Sequence, residues 1–328
     1  MTPSPGRTIP DRLVPPLRRA LTSWEMLLLA VAVAIFVANS FASPWFLDPW
    51  NLSDASVNFT EKAMIAFAMA MLIIAGEIDL SVASIIALCS TVMGAAMVAG
   101  APTPVLVLLG LGTGLACGAF NGFLVAGMGL PSIVVTIGTM SLFRGISYIV
   151  LGDSAFTGYP ADFGFFGQGY VWWVFSVELV LFAVMAVVFG LLLHRTNFGR
   201  MVYVIGNNAT AARFSGVRVD RVRFILFLLT GVMSGLAAVC LTSRLGSTRP
   251  SIATGFELEV VTMVVLGGIS ILGGSGSIPG VVLAALIMGL VTFGLGLLNV
   301  PGIVMSIIIG ALLIAVIALP RLWRMVAK

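Results

Sequence analysis

The chain has 328 residues, of which 59% are hydrophobic and 9% charged, with a formal net charge of +4 and a mean hydropathy of +1.13. Soluble domains carry roughly 25% charged residues, so a water-soluble enzyme and a nucleic-acid-binding domain are both excluded. What remains is an all-α integral membrane protein, one polytopic bundle with room for roughly ten helices of about 20 residues.

The N-terminal segment MTPSPGRTIPDRLVPPLRRALT is proline-rich and basic, and Arg7, Arg12, Arg18 and Arg19 hold it in the cytoplasm, where basic loops stay. The apolar run from Trp24 is too long for a signal peptide. It reads as span one, about 24–42, with Trp24 and Trp45 at its two interfaces. The loop SPWFLDPWNLSDASVNF contains Asp48 and Asp54 and no basic residue, which suits the outside. Span two, about 61–75, is short and ends at GEIDLS, residues 76–81. Spans three, four and five follow over about 82–99, 104–126 and 132–151, parted by the turns GAPTP and GMGLPS. Residues 152–170, aromatic and acidic, form an external loop, and span six, about 171–193, brings the chain back inside.

The stretch from His194 to Arg223 carries Arg195, Arg200, Arg213, Arg218, Arg221 and Arg223 against one acid, Asp220. No bilayer core accepts that many arginines, so this is a cytoplasmic loop. It has a folded piece of its own: Asn207 or Asn208 caps a helix start, Ala211 and Ala212 propagate it, and Gly216 stops it. Beyond it, residues 224–243 are uncharged and long enough to span. Span eight, about 259–272, is short; spans nine and ten cover about 278–298 and 302–319. The resulting plan is a cytoplasmic tail (1–23), one transmembrane domain (24–320) with its basic loop at 194–223, and a second cytoplasmic tail (321–328) carrying Arg321, Arg324 and Lys328. MLIIAGEIDLS (71–81) and MVVLGGISILG (263–273) form a faint parallel repeat, and transporters place substrate pathways at such repeats.

Few residues could carry chemistry. Glu77 and Asp79 either cap span three or face a cavity or pathway, since intramembrane acids are costly. Arg144 in span five either snorkels or pairs between helices, or else joins a conduit with Asn121, Ser132 and Thr136. Glu178 reads as interfacial, and Arg244 and Arg249 stand outside, where guanidinium groups could receive acids of an external protein. GGISILGGSGSIPG (267–280) lacks the lysine of a phosphate loop and has Pro279 where a dinucleotide fingerprint needs glycine. The sole histidine, His194, at a helix C-terminus, supports neither a metal set nor a hydrolase triad. Cys89, Cys117 and Cys240 lie in apolar runs and read as small core residues. No cofactor, metal or catalytic residue is expected.

The pieces GEIDLS (76–81), FNG (120–122), LPSIVVTIGTMSLFRGISY (130–148), NFGRMVYVIGNNATAARFSGV (197–217) and VLGGISILGGSGSIPG (265–280) resemble the permease subunits of bacterial ABC sugar importers of the ribose type. The resemblance covers about 24–320, and Glu77 and GYVWWVF (169–175) make the chain most similar to rhamnose-importer permeases. It implies an ABC importer permease fold of ten helices in the inner membrane, with both termini cytoplasmic. The implied partners are a second permease, identical or different, a cytoplasmic ATPase and a periplasmic sugar-binding protein. It further implies an ATPase-coupling helix in the loop holding Gly206, Asn208, Thr210, Ala211, Ala212, Gly216 and Arg218, with Thr210 where many ABC permeases have glutamate. The expected function is ATP-driven import of a monosaccharide, L-rhamnose first. The rival is an ion-coupled transporter acting alone, with Glu77, Asp79 and Arg144 as its relay.

Overall fold

The structure, a computed structural model, describes residues 23–305, 307–308, 310–311 and 314. The tail ahead of Ser23, the tail 321–328 and much of the expected span 302–319 lie outside the described residues. The helices, in chain order, are α1 (Trp24–Ala42), α2 (Pro49–Ile74), α3 (Val82–Val98), α4 (Thr103–Gly122, continued by a π-helical turn over Phe123–Gly127) and α5 (Ser132–Leu151). There follow the short α6 (Phe165–Gln168), then α7 (Val177–Arg195), α8 (Asn197–Asn207), α9 (Ala209–Phe214), α10 (Val219–Leu245), α11 (Phe256–Leu266) and α12 (Ile278–Leu297). Among the described residues six helices are long and apolar enough to cross a membrane, and a bent α2 makes seven. The bundle is all-helical apart from two small strand pairs. One joins β1 (Phe156–Thr157) to β4 (Ser247–Thr248); the other is a hairpin of β2 (Tyr170–Trp172) and β3 (Phe175–Ser176).

Several helix bounds differ from the sequence reading, each for a local reason. The segment expected as an outer loop is helical from Pro49, because the Asp48 carboxylate accepts the amides of Trp50 and Asn51 and proline suits the first helical position. Span six begins at Val177 rather than near 171, since residues 170–176 form the hairpin and Ser176 then caps the helix by accepting the Leu179 amide. The helix after the basic loop is longer than the uncharged run: α10 takes in Arg221, Arg223 and Arg244. Span eight is shorter than expected and stops at Leu266, where two glycines follow.

The core is organised on α2. Its residues from Ala63 to Ala75 are all no more than 1% exposed. A helix apolar around its whole circumference has no solvent or lipid face and sits in the middle of the bundle. Along a second axis, α4 and α10 meet backbone to backbone. Gly110, Gly114 and Gly118 of α4 face Gly231 and Gly235 of α10, and a Cβ added at Gly231 would stand 2.8 Å from the Gly118 Cα and closer still to the Gly114 carbonyl. Small residues permit this approach in lipid, where packing and not the hydrophobic effect holds helices together. Gly231→Val is therefore expected to force the pair apart at a cost of about 1–3 kcal/mol or more. Gly112→Val, which would meet nothing within 4 Å, should be silent. Thermal unfolding in detergent compares the two.

The faint repeat has a structural counterpart. At the end of α2 the Gly76 amide bonds to the Ile73 carbonyl and the Glu77 amide to Leu72; at the end of α11 the Gly268 amide bonds to Val265 and Ile269 to Val264. Gly76 and Gly268 both take left-handed φ, +84° and +86°. Both helices thus end in the same Schellman turn, and the chain is then non-helical before the next span. The end of α2 is also tied to the chain after α11, with the Gly274 amide donating to the Ile74 carbonyl at 2.9 Å.

Candidate functional site

The break after α2 gathers most of the polar residues expected to matter. Asp79, fully buried, accepts both the amide and the hydroxyl of Ser81 at 2.9 and 2.6 Å through Oδ1. These bonds fix the turn just ahead of α3 without capping it, since Ser81 is the residue at the helix start and no side chain accepts a first-turn amide there. Its other oxygen takes longer contacts from Asn121 Nδ2 (3.5 Å) and Thr230 Oγ1 (3.4 Å), and Asn121 also donates to Ser81 Oγ at 2.8 Å. The intervening peptide is held from α5: the Ile78 amide donates to Ser132 Oγ at 3.3 Å and its carbonyl faces Thr136 Oγ1 at 3.5 Å. Glu77 points the other way, to an ion pair with Arg223 of α10, Nε to Oε1 2.9 Å. So α2, α3, α4, α5 and α10 converge on one short non-helical segment. Asp79 has hydrogen bonds but no cation against it, while Glu77 has one.

Arg144 is not part of this cluster. Its Nη1 donates to the carbonyls of Pro250 and Ile252 at 2.6 and 2.8 Å, fastening α5 to the segment between β4 and α11. Guanidinium groups satisfy loose carbonyls well, having several donors in a fixed fork.

The basic segment is folded as the sequence suggests. Asn208 accepts the Ala211 amide at 2.9 Å and caps α9, Ala212 is buried, and Gly216 ends the turn at φ +84°. Arg213 pairs with Asp220, and Thr210 lies on α9 itself. Beside it is a cavity of about 410 Å³ bordered by Met201, Gly216, Arg218 and Arg221. The helix before it, α8, was missed as a separate element. It is amphipathic, with Gly199, Val202 and Ile205 buried, and Thr196 starts it by accepting the Gly199 amide. Gly206 lies so close to the end of α2 and to the chain after α11 that an added Cβ would stand 2.5 Å from the Gly274 amide nitrogen and inside the Ile74 carbonyl oxygen. Tyr203 donates to the Gly276 carbonyl at 2.7 Å, and Asn207 to Gly274 at 3.3 Å. The α8–α9 unit is therefore keyed directly into the end of α2 and the glycine-rich chain after α11.

At the opposite end, one expectation needs correction. Arg244 does not stand free: it grips Glu61 of α2 with two hydrogen bonds, Nε to Oε1 3.0 Å and Nη2 to Oε2 2.9 Å. Glu178, in the first turn of α7, is packed inside the protein at 1% exposure, accepting from Thr60 at 2.9 Å while its other oxygen is buried without a partner. Glu61 was not singled out in the sequence, where it stands between Thr60 and Lys62 just ahead of the apolar run from Ala63. Lys62 pairs with Glu259 of α11 at 2.6 Å. Arg249 alone of the outer arginines is exposed. The hairpin is pinned by the Tyr170 hydroxyl, which donates to Asp54 at 2.7 Å, and the carboxylate pushes that phenol up to about 12. Tyr159, bonded to Thr248, is pushed up to about 12 by burial.

His194 stands in the last turn of α7, at the helix C-terminus where the sequence placed it. Its Nε2 accepts the Ile278 amide at 3.2 Å, so at that nitrogen the ring is an acceptor capping α12.

A multi-pass apolar bundle with a buried polar break, keyed to a basic surface helix, is an architecture suited to a membrane permease. Residues 51–317 match the family described as the permease component of the branched-chain amino acid transport system, and the chain belongs to that family. It is 38% identical over 300 residues to the autoinducer 2 import system permease protein LsrD of Yersinia enterocolitica, covering 90% of each chain. It is 36% identical over 307 residues to the protein of the same name from Salmonella typhimurium, again over 90% of each. With the ribose import permease protein RbsC of Bacillus subtilis it shares 35% identity over 266 residues, 80% of this chain and 82% of that one. No solved structure matches the chain. The protein is a multi-pass permease subunit of the bacterial inner membrane, and ATP is hydrolysed by a partner protein rather than by this chain. An ion-coupled transporter acting alone is thereby set aside.

Proposed function

We propose that this chain forms one half of the membrane pathway of a sugar importer, with α9 and its neighbouring cavity as the surface that receives the ATPase. The observation that carries this reading is the seat of Gly206 against the Ile74 carbonyl and the Gly274 amide. Through it a displacement of the surface helix reaches α2 and the chain after α11 without an intervening flexible link. Gly206, Asn208, Thr210, Ala211, Ala212, Gly216 and Arg218 make up that coupling unit. Glu77, Asp79, Asn121, Ser132 and Thr136 form the inner gate of the pathway, and Arg144 sets the outer segment. Arg249 is the exposed outer arginine that meets the periplasmic sugar-binding protein, Arg244 being held by Glu61.

In this reading about ten spans cross the membrane, counting α3, α11 and a last helix resuming at residue 302, with both termini in the cytoplasm. Two permeases, identical or different, enclose the pathway. The cargo is an uncharged monosaccharide-sized polyol, which needs few ionic contacts. Resemblance to rhamnose-importer permeases favours L-rhamnose, while the relatives' names add ribose and autoinducer 2 as competitors. The complex reconstituted with its ATPase and binding protein is expected to take up labelled L-rhamnose only with ATP; uptake confined to ribose or autoinducer 2 reassigns the cargo. Uptake driven by an ion gradient without the ATPase removes the reading. Gly216→Val, placing a β-branched residue at φ +84°, should disturb α9 by about 1–2 kcal/mol and lower transport-coupled ATP hydrolysis while the permease itself stays folded. Unchanged coupling would place the ATPase contact elsewhere.

A further inference from the structure

We propose that the groove between α7 and α12 is a binding site for one anionic phospholipid. It is a cavity of about 610 Å³, walled by Val187, Gly190 and Leu191 of α7 and by Val282 and Leu283 of α12. Its only polar side chains, His194 and Arg195, stand together at one end. His194 is committed to the Ile278 amide. Arg195 is exposed and belongs to none of the ion pairs among the described residues. The neighbouring acid, Glu25, accepts the Ser277 hydroxyl at 2.8 Å and does not line the groove.

The polarity along the groove is that of an amphiphile. From Ala186 to His194 the helix rises about 12 Å, an apolar trough suited to the upper part of an acyl chain, with a guanidinium where the phosphate would sit. Guanidinium binds phosphate oxygens through paired hydrogen bonds. A phosphocholine would bring its own cation to the same place; an anionic headgroup would not. Basic pockets between membrane helices recognise anionic headgroups on this physical basis. Gly190 supplies an independent sign. A Cβ there would meet nothing within 4 Å, so this glycine brings no helix closer and its effect is to keep the trough open. The inference rests on the chain spanning a membrane, and not on which solute it carries or where its ATPase docks.

The test is competitive lipid retention. The permease complex is incubated with vesicles of equal phosphatidylglycerol and phosphatidylcholine, repurified, and its bound lipid measured by native mass spectrometry. The wild type is expected to retain phosphatidylglycerol in preference by about fivefold, the scale of one basic residue near a lipid surface. Arg195→Gln should bring the ratio near parity, and Gly190→Leu, which fills the trough, should lower retention of both lipids. Equal retention by the wild type, or an undiminished preference in Arg195→Gln, overturns the proposal. So does disulfide cross-linking of Gly190→Cys between two copies of the chain in the membrane, because the groove would then be a protein interface. The native Cys89, Cys117 and Cys240 are buried and do not compete in that experiment.

Discussion

A Gly206→Ala permease is expected to lose ATP-dependent uptake by an order of magnitude or more while still inserting in the membrane. The added methyl would lie 2.5 Å from the Gly274 amide nitrogen and 2.9 Å from the Ile74 carbonyl carbon, with the carbonyl oxygen nearer still. These are backbone atoms, so no side chain can swing aside. Either α8 lifts away or the end of α2 and the chain at Gly274 shift, and overpacking of this kind costs about 1–3 kcal/mol. Lifting α8 also strains the bonds from Tyr203 to Gly276 and from Asn207 to Gly274. Gly138→Ala, on a face where a Cβ meets nothing within 4 Å, is the matched control. Uptake and ATPase stimulation in proteoliposomes decide the matter: wild-type rates for Gly206→Ala would mean that motion does not pass through this seat.

Arg244→Met is expected to be among the most destabilising single changes in the protein. Glu61 lies at 2% side-chain exposure and is gripped at two oxygens by that guanidinium. Removing one partner of a buried pair leaves an uncompensated charge and costs about 3–5 kcal/mol, more than the pair contributes against a hydrophobic replacement. The double variant Arg244→Met with Glu61→Met should therefore recover much of the loss. Thermal unfolding of the four proteins of this cycle in detergent gives the coupling directly. Additive effects of the two single changes would show that the pair does not hold α2 to α10.

The bounds of α3, α4, α5 and α12 were legible in the sequence because turn glycines and prolines flank apolar runs of spanning length. The α9 cap at Asn208 and its stop at Gly216 were legible for the same kind of reason, a local rule with a local answer. Asp79, Asn121, Ser132 and Thr136 were named as polar residues in apolar segments, and they do come together. Their partner Thr230 was overlooked because a lone threonine inside α10 has no distinguishing neighbour. What the sequence could not show was pairing at long range. Glu61 and Arg244 are 183 residues apart, and helices apolar on every side give no periodic sign of which neighbour each face meets. The same blindness hid the burial of Glu178 against Thr60. The start of α2 at Pro49 is a different failure: the Asp–Pro pair is a helix-start signal, but it sits in a polar stretch that read as a loop.

The glycine seam between α4 and α10 has a mechanical implication. Two rods whose main chains interlock at Gly114 and Gly231 cannot roll or slip past each other without a peptide group colliding. In any turnover they travel as one stiff plank, with α6 riding on it where Gly167 meets the Cys240 and Arg244 main chain.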